Sequence, residues 1–267
     1  RDFCLSRGLG DVYKRQKGNC TFITTNTAKI LLDCGISKKR VEEALSNNEF
    51  DLLNLDGILI THEHTDHTSC LGIIANATNA PIYMTKGTYN GLSSRIRDRL
   101  DINNIHFINH DSCFEIKDIK IEALQIFHDA IDPVGYTFSQ NDRKLVYITD
   151  TGYVHHALFD KISDANCYIF ESNHDPQILM ESDRPYETKM RILSDHGHLS
   201  NQDSAYTLTN IVGPDTNHII YAHISEECNL VQIVKLTSIR VFKDVGVSTD
   251  GIKFEYASQT PLEVFEV

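Results

Sequence analysis

Five short apolar runs in this chain each end in a side chain that can bind a metal ion or transfer a proton. The runs are residues 57–61, 121–127, 145–149, 168–170 and 219–222, and they are followed by His62, His128, Asp150, Glu171 and His223. Continuous apolar runs of this length are typical of strands that are buried on both faces. Because strand ends that share one edge of packed sheets converge, we expect these five side chains to form one site.

The other local patterns alternate between strand and helix along the chain. Strands are predicted at residues 21–24, 29–33, 82–84, 134–139, 239–243 and 252–256, with two or three more between residues 105 and 127. Helices are predicted at residues 37–46, 68–78, 88–100, 154–162, 187–194, 201–211 and 229–235, the first with Ser37 as its N-cap. This mixture indicates an α/β or layered αββα protein. Since no linker divides it, we expect a single domain over residues 17–267.

The first sixteen residues differ from the rest of the chain. Residues 1–16 lack a starting Met and show no clean period, and residues 5–16 resemble a translated adapter sequence. We therefore expect residues 1–16 to be a non-native, adapter-derived leader, and we leave them out of the reasoning about the site.

The segment that follows the run at residues 57–61 carries four candidate ligands within six positions: His62, His64, Asp66 and His67. Neutral imidazoles and carboxylates bind Zn²⁺ at about 2.0–2.2 Å. In an extended turn, two histidines at i and i+2 aim their rings to the same side, and Asp66 and His67 then turn toward a second position. One tight loop of this kind can supply two ligands to each of two metal ions. The sequence thus predicts a dinuclear metal site.

Composition excludes several classes of protein. The formal net charge of −12 argues against a protein that coats nucleic acid through its overall field, although a few phosphates could still be bound locally. The seven cysteines include no Cys-x-x-Cys, which argues against a disulfide framework or a thiolate zinc finger and favours a reducing cytoplasm. No apolar run approaches the roughly 20 residues of a membrane helix.

The spacing His-x-His-x-Asp-His resembles the signature of the metallo-β-lactamase superfamily, whose fold is a four-layer αββα sandwich. The resemblance implies that a first metal ion is held by His62, His64 and His128, a second by Asp66, His67 and His223, and that Asp150 bridges the two. Common β-lactamases tend to carry Cys at the bridging position. An aspartate there implies a phosphodiesterase, a nuclease, a thioesterase or a lactonase, and oxygen ligands suit Mn²⁺ as well as Zn²⁺.

Four further segments narrow the resemblance. Residues 127–135, 171–175, 197–201 and 223–225, together with the motif, are similar to the WalJ (YycJ) family. These proteins are bacterial cytoplasmic relatives of RNase Z that are described as 5′-to-3′ DNA exonucleases. The similarity extends over about residues 18–236. It implies hydrolysis of phosphodiesters by a hydroxide shared between two divalent metal ions, with DNA as the substrate.

The same resemblance suggests roles for individual residues. Asp66 would orient the nucleophile and accept its proton, and His198 would contact the scissile phosphate and assist the leaving group. Alternatively, His198 only enters a helix that Ser200 caps, although both roles are compatible because a helix N-terminus is itself a phosphate site. Glu171 and His174 would orient metal ligands, or else form a satisfied polar turn.

Two other functions fit parts of the pattern. A small-molecule hydrolase, such as a cyclic phosphodiesterase, a thioesterase or a lactonase, would use the same two metals, and the net acidity of the chain mildly favours it. A non-catalytic, metal-binding regulator would be indicated by the loss of a ligand. All seven ligand positions of the superfamily are filled, and this favours an enzyme.

Overall fold

The computed structural model describes residues 18–257 and, as strands, Cys4–Arg7 and Phe265–Glu266. Of the predicted leader, only residues 4–7 fall within this part of the chain, and they pair antiparallel with residues 21–24. The remainder of residues 1–16 lies outside the described residues, so the assignment of a non-native leader stays a prediction.

The strands and helices are labelled in chain order. The strands are β1 Cys4–Arg7, β2 Thr21–Thr24, β3 Lys29–Leu32, β4 Gly57–Leu59, β5 Ile82–Thr85, β6 Ile105–Ile108, β7 Cys113–Ile116, β8 Ile119–Gln125, β9 Val134–Gln140, β10 Arg143–Ile148, β11 Cys167–Glu171, β12 His218–Ala222, β13 Lys253–Tyr256 and β14 Phe265–Glu266. The helices are α1 Lys38–Ser46, α2 Thr65–Thr68, α3 Leu71–Thr78, α4 Lys86–Gly91, α5 Ser94–Arg97, α6 Phe159–Ile162, α7 Pro176–Glu181, α8 Tyr186–Ile192, α9 Asn201–Ile211 and α10 Val231–Val245.

The chain divides into two compact units. Unit 1 comprises Arg1–Ala123, Ala130–Val134 and Ser258–Val267, and unit 2 comprises Leu124–Asp129 and Gly135–Ala257. Each unit has its own apolar core. The single domain expected over residues 17–267 stays a prediction.

The sheet of unit 1 has the strand order β14-β1-β2-β3-β4-β5-β6. The β2–β3 pair is antiparallel, whereas β3, β4, β5 and β6 run parallel to one another. Ile30 and Leu31 of β3 and Ile58 and Leu59 of β4 are fully buried, which explains why these strands are continuous apolar runs. Because β3 and β4 are parallel, the residues that follow them emerge at the same edge of the sheet.

The sheet of unit 2 contains β13, β12, β11, β10 and β9 in that order. The β9–β10 pair is antiparallel, and β10, β11, β12 and β13 are parallel. Tyr168 and Phe170 of β11 and Ile219 and Tyr221 of β12 are completely buried in the core of this unit. The parallel arrangement brings the carboxyl ends of β10, β11 and β12 to one edge.

Most predicted elements of unit 2 are confirmed, with α9 at its predicted bounds. The strand predicted at residues 239–243 is wrong, because this segment belongs to α10. Val234, Ser238 and Val241 are buried at helical spacing, whereas Leu236 and Ile239 are exposed. A short apolar run alone does not separate a buried strand from one side of a helix.

Unit 1 departs from prediction around its short helices. The helix predicted over residues 88–100 is two helices, α4 and α5, since Leu92 leaves the helical conformation at ψ 138° and its side chain is buried. Ser37 lies at the N-cap of α1 as predicted, but its side chain makes no capping hydrogen bond. Among the described residues, no helix is both long enough and apolar enough to cross a bilayer.

Candidate metal-binding residues

The motif of unit 1 lies directly after β4, and its second half begins α2. His62 and His67 are fully buried, and His64 is the N-cap residue of α2. The ring centroids of His62 and His64 are 4.6 Å apart, and those of His62 and His67 are 4.2 Å apart. The structure thus gathers the three predicted histidine ligands of this unit into one cluster, as the spacing of the motif predicts.

A buried aspartate outside the predicted set holds this cluster. Asp33 follows β3, is completely buried, and accepts hydrogen bonds from the Thr61 backbone N–H at 2.9 Å and from His67 Nδ1 at 2.7 Å. The Thr61 hydroxyl also donates to the Asp33 carboxylate, at 3.0 Å from Oδ2. A carboxylate on the far nitrogen of a histidine fixes the ring and its tautomer. Sequence reasoning missed Asp33, although it ends the apolar strand Ile30–Leu32 in the manner of the five residues that were singled out.

Asn19 contacts two predicted ligands at once. Its Nδ2 amide donates to His67 Nε2 at 2.8 Å and lies 3.4 Å from Asp66 Oδ2. Since His67 Nδ1 carries the proton that Asp33 accepts, the lone pair of the ring is on Nε2. The Asn19 amide nitrogen, a donor with partial positive charge, therefore lies close to both His67 Nε2 and Asp66 Oδ2, and both residues are predicted ligands of the second metal ion.

The backbone of α2 is held by the turn after β3. Asn19 N–H donates to the Asp66 carbonyl at 2.7 Å, and Cys34 N–H donates to the His67 carbonyl at 2.7 Å. Gly35 approaches so closely that an added Cβ would lie 1.6 Å from the Asp66 carbonyl oxygen. Only glycine fits at this position, which explains the Asp-Cys-Gly sequence that follows β3.

The strand ends of unit 2 form a second cluster. Asp150, Glu171, His198 and His223 each offer a ligand atom, and these atoms all lie within 4.8 Å of one another. Three of these residues were predicted from the apolar runs that precede them. His198 comes instead from the segment before α9. Within unit 2, the convergence expected from the parallel strands is therefore observed.

Glu171 lies at the centre of this cluster and is completely buried. Its Oε1 accepts from His223 Nδ1 at 2.8 Å and from His198 Nδ1 at 2.9 Å, while its Oε2 accepts the Thr151 backbone N–H at 2.9 Å. Burial by itself raises the pKa of the Glu171 carboxyl, but the charges and hydrogen bonds of the two histidines outweigh it and lower that pKa from 4.5 to about 2. Glu171 is therefore an ionised acceptor that orients two imidazoles.

His128 is anchored in the same manner by a different acceptor. Its Nδ1 donates to the Gly197 carbonyl at 3.1 Å, which again leaves the lone pair on Nε2. Nε2 lies 3.9 Å from Asp150 Oδ1. Burial lowers the pKa of His128, more than the neighbouring Asp150 carboxylate raises it. The neutral imidazole, which binds a metal ion through the lone pair of one ring nitrogen, is the form that serves as a ligand.

Three of these residues have backbone conformations that side chains rarely adopt. The φ angles are 62° at Asp33, 58° at Asp150 and 55° at His223. Each residue follows the end of a strand by one or two positions. Such conformations cost about 1–3 kcal/mol each and persist where the surrounding structure enforces them, which is common at functional sites.

The loop after Asp150 packs on the segment that leads to His198. An added Cβ at Gly152 would lie 2.2 Å from the backbone of Asp195, so a side chain there would displace this segment. The His198 backbone N–H donates to the Ile192 carbonyl at 2.9 Å, which connects the segment to α8. The close approach of the Asp195 backbone explains why glycine stands at position 152, the third residue of the sequence Asp-Thr-Gly.

His198 lies near two other histidines and shortly before α9, and its predicted contact with the scissile phosphate stays a prediction. The His198 ring centroid lies 4.9 Å from that of His128 and 5.0 Å from that of His223, and two residues later the Ser200 hydroxyl caps α9 by accepting from Asp203 N–H.

His174 is buried, and its ring nitrogens make no hydrogen bond within the described part of the chain. Burial lowers the pKa of His174 from 6.5 to about 4. The predicted orienting role of His174 stays a prediction.

The donor chemistry of both clusters fits a divalent metal ion. In each cluster, imidazoles have Nδ1 engaged by an acceptor and Nε2 as the lone-pair nitrogen, and an aspartate oxygen lies nearby: Asp66 Oδ2 is 3.6 Å from His67 Nε2, and Asp150 Oδ1 is 3.9 Å from His128 Nε2. This mixture of nitrogen and oxygen donors suits Zn²⁺ and also Mn²⁺.

Comparison with known proteins gives a consistent result. Residues 28–224 match the family model described as the beta-lactamase superfamily domain. The chain is 35% identical to the exodeoxyribonuclease YycJ of Bacillus anthracis over 245 residues, which cover 91% of this chain and 92% of that protein. It is 32% identical to the exodeoxyribonuclease WalJ of Streptococcus pneumoniae over 253 residues, which cover 94% of each protein.

The fold is also that of solved structures. The metallo-beta-lactamase fold protein YhfI from Bacillus subtilis matches with a TM-score of 0.71 at 14% identity, over 98% of this chain and 100% of that one. This likeness confirms the predicted fold, a mixed α/β architecture with two sheets flanked by helices.

Proposed function

This chain belongs to the beta-lactamase superfamily and, within it, to the family of the YycJ and WalJ exonucleases, and from this premise we propose that it is a metal-dependent phosphodiesterase, a 5′-to-3′ DNA exonuclease. The observation that carries the proposal is the identity of 35% to an exodeoxyribonuclease over 91% of the chain. A substrate within the cell and the six cysteines that are free thiols among the described side chains support a cytoplasmic location.

The proposed ligands are those that the resemblance implies, with two divalent metal ions. His62, His64 and His128 are assigned to the first ion, Asp66, His67 and His223 to the second, and Asp150 to both. Support comes from the Nδ1 hydrogen bonds of His67, His128 and His223, since each of them leaves Nε2 as the donor nitrogen. When bound, Zn²⁺ or Mn²⁺ would supply a water of lowered pKa and positive charge opposite the phosphate oxygens.

The chain's own residues then have distinct tasks. Asp66, at the start of α2, is assigned to orient the attacking water and to accept its proton. His198 donates its Nδ1 proton to Glu171, and a second proton on its Nε2 would serve the departing oxygen. The hydrogen bond to the buried Glu171 carboxylate fixes the orientation of the His198 ring, which supports this role.

The test is a substrate panel with purified protein and Mn²⁺ or Zn²⁺ in parallel. Linear duplex DNA with a 5′-phosphate is compared with cyclic nucleotides and acyl thioesters, using the wild type, Asp66→Ala and, as a matched control, Asp98→Ala at the exposed end of α5. We expect hydrolysis of 5′-phosphorylated DNA that is abolished in Asp66→Ala and retained in Asp98→Ala. Full activity of Asp66→Ala would refute the mechanism. Hydrolysis of cyclic nucleotides or thioesters in place of DNA would instead establish the small-molecule hydrolase, which the net charge of −12 mildly favours.

A further inference from the structure

Glu63, which lies between His62 and His64 of the motif, holds the loop that contains Ile131 and Asp132. None of the roles assigned above involves this contact. Glu63 Oε1 accepts the backbone N–H of Ile131 at 2.8 Å. Gly91, at the end of α4, packs against both residues, because a Cβ added there would lie 2.6 Å from Glu63 Cγ and 2.9 Å from Ile131 Cδ1. Glu63, Gly91 and Ile131 therefore form one packed contact within unit 1.

The loop is fixed at a second point. The Asp132 carbonyl accepts from the hydroxyl of Thr85 at 2.8 Å and from that of Thr88 at 3.3 Å. Between these two attachments, the side chain of Ile131 is 62% exposed to solvent. An apolar side chain that a rigid backbone holds in water is suited to packing on a ligand, since little conformational entropy is lost on binding.

The short helix α5, which follows Gly91 in the chain, carries two arginines. Asn90, which precedes Gly91, accepts a hydrogen bond from Arg97 Nη1 through its carbonyl at 3.2 Å, and Arg95 is exposed on the same short helix. The ion pairs of unit 1 within the described residues do not involve Arg95 or Arg97. Lysines on α1 differ in this respect, because Lys38 pairs with Glu42 at 2.6 Å. The two guanidinium groups are thus available to an anion.

We propose that Ile131 and Arg97 form a subsite for the nucleotides that flank the scissile phosphate, and that Glu63 is its positioning residue. This inference rests on the proposed nuclease function and names the contacts that would hold the strand. A nucleic-acid strand presents apolar base and sugar surfaces together with phosphates, which match an exposed isoleucine beside guanidinium groups. In a chain of net charge −12, binding of a polyanion requires such a local cationic site.

The experiment measures KM and kcat of the metal-loaded enzyme on 5′-phosphorylated DNA at several salt concentrations. Ile131→Ala and Arg97→Gln are compared with Ile102→Ala, an isoleucine that is 49% exposed in the same unit, and with Lys39→Gln on α1. Ile131→Ala should raise KM about 5-fold through lost apolar contact. Arg97→Gln should raise KM and reduce the slope of log kcat/KM against log salt by about 0.7–0.9, the change for one lost phosphate contact. Both controls should match the wild type.

The role of Glu63 is tested by comparing Glu63→Ala with Glu63→Gln. Gln retains an oxygen that can accept the Ile131 N–H, whereas Ala does not. We expect Glu63→Ala to raise KM as Ile131→Ala does, Glu63→Gln to restore the wild-type KM, and the double variant Glu63→Ala/Ile131→Ala to be no worse than either single variant. The metal content of each preparation is measured, so that a lost metal ion is not mistaken for a moved loop.

The results separate the two proposals. If the wild type cleaves DNA but Ile131→Ala and Arg97→Gln have the KM and salt slope of their controls, the subsite is refuted and the nuclease stands. If the wild type leaves DNA intact, the proposed function fails and the subsite fails with it. A rise in KM that is confined to the two subsite variants, with the reduced salt slope in Arg97→Gln, supports the inference.

Discussion

Each unit contains a fully buried carboxylate that accepts hydrogen bonds from histidine, but the two carboxylates differ in how many imidazoles they orient. Asp33 of unit 1 accepts one imidazole proton, from His67, and is itself held by the Thr61 backbone. Glu171 of unit 2 accepts two imidazole protons on one oxygen, from His198 and His223.

The difference follows from how each cluster is assembled. In unit 1 the motif provides its histidines within six consecutive positions, so the local turn already places them and Asp33 only fixes a ring. In unit 2 the side chains come from separate strand ends and from the segment before α9. A shared carboxylate, that of Glu171, therefore holds the His198 and His223 rings in place. We expect the cluster of unit 2 to be more sensitive to the loss of its carboxylate.

The largest effect should come from Glu171→Gln. The amide cannot accept the hydrogen bonds of both histidines and of the Thr151 N–H together, and it removes a buried negative charge. Divalent-metal affinity should fall about 100-fold, and the free energy of unfolding of the metal-free protein by about 3 kcal/mol. Competition with a chromophoric chelator and urea unfolding measure these, with Glu187→Gln on the surface of α8 as the control. An affinity within threefold of wild type would show that Glu171 does not organise the cluster.

The second prediction concerns His174, whose pKa is lowered mainly by burial. His174 has a pKa of about 4 in the folded protein, against 6.5 for an ordinary histidine, so the unfolded chain takes up a proton in this interval while the folded chain does not. Stability should therefore decrease as the pH falls from 6.5 to 4, by about 3 kcal/mol from this residue. His174→Leu should flatten this part of the pH profile in urea unfolding of the metal-free protein.

The matched control for this profile is the exposed His156→Gln, which should leave it unchanged. If His174→Leu has the wild-type pH profile, another group accounts for the loss of stability in acid.

A smaller effect is expected for Asp33→Asn. Asn keeps one acceptor oxygen for the Thr61 N–H or for His67, so one ring is loosened rather than two. Metal affinity should fall about 10-fold in the same chelator competition. Asp56→Asn, which alters a carboxylate that accepts from the Lys29 N–H in the same unit, should leave affinity unchanged. A loss as large as that in Glu171→Gln would contradict the contrast between the two units.

The smallest effect concerns two serines at helix N-caps, one in each unit. The Ser200 hydroxyl accepts from Asp203 N–H at 3.1 Å, whereas the Ser37 side chain makes no capping hydrogen bond. Ser200→Ala should reduce the free energy of unfolding by about 1 kcal/mol, and Ser37→Ala should have little effect. Urea unfolding of the two variants side by side tests this. Equal losses would mean that the hydrogen bond at Ser200 adds nothing.

Much of the candidate site could be predicted because its signals are local. A buried strand followed by a polar residue is visible as an apolar run, and this rule identified Asp150, Glu171 and His223, which the structure brings together. The same rule applied to β3 would have found Asp33. Asn19 had no such signal, since its contact with His67 joins residues 48 positions apart. The expectation that His62 shares one site with the strand ends of unit 2 stays a prediction.

The spacing of residues 62–67 and the apolar runs were sufficient to indicate the buried strands and the donor types, because turn geometry and strand burial depend on neighbouring residues. The metallo-β-lactamase fold followed from the resemblance of that spacing to the signature of the superfamily. Tertiary structure decided what each side chain does. Residues 239–243 form part of a helix because side chains at helical spacing are buried in the core. The tautomers of His67, His128 and His223 depended on hydrogen-bond acceptors from distant segments. The contact of Ile131 with Glu63 and Gly91 likewise joins segments that are distant in the sequence, so it forms only in the folded unit.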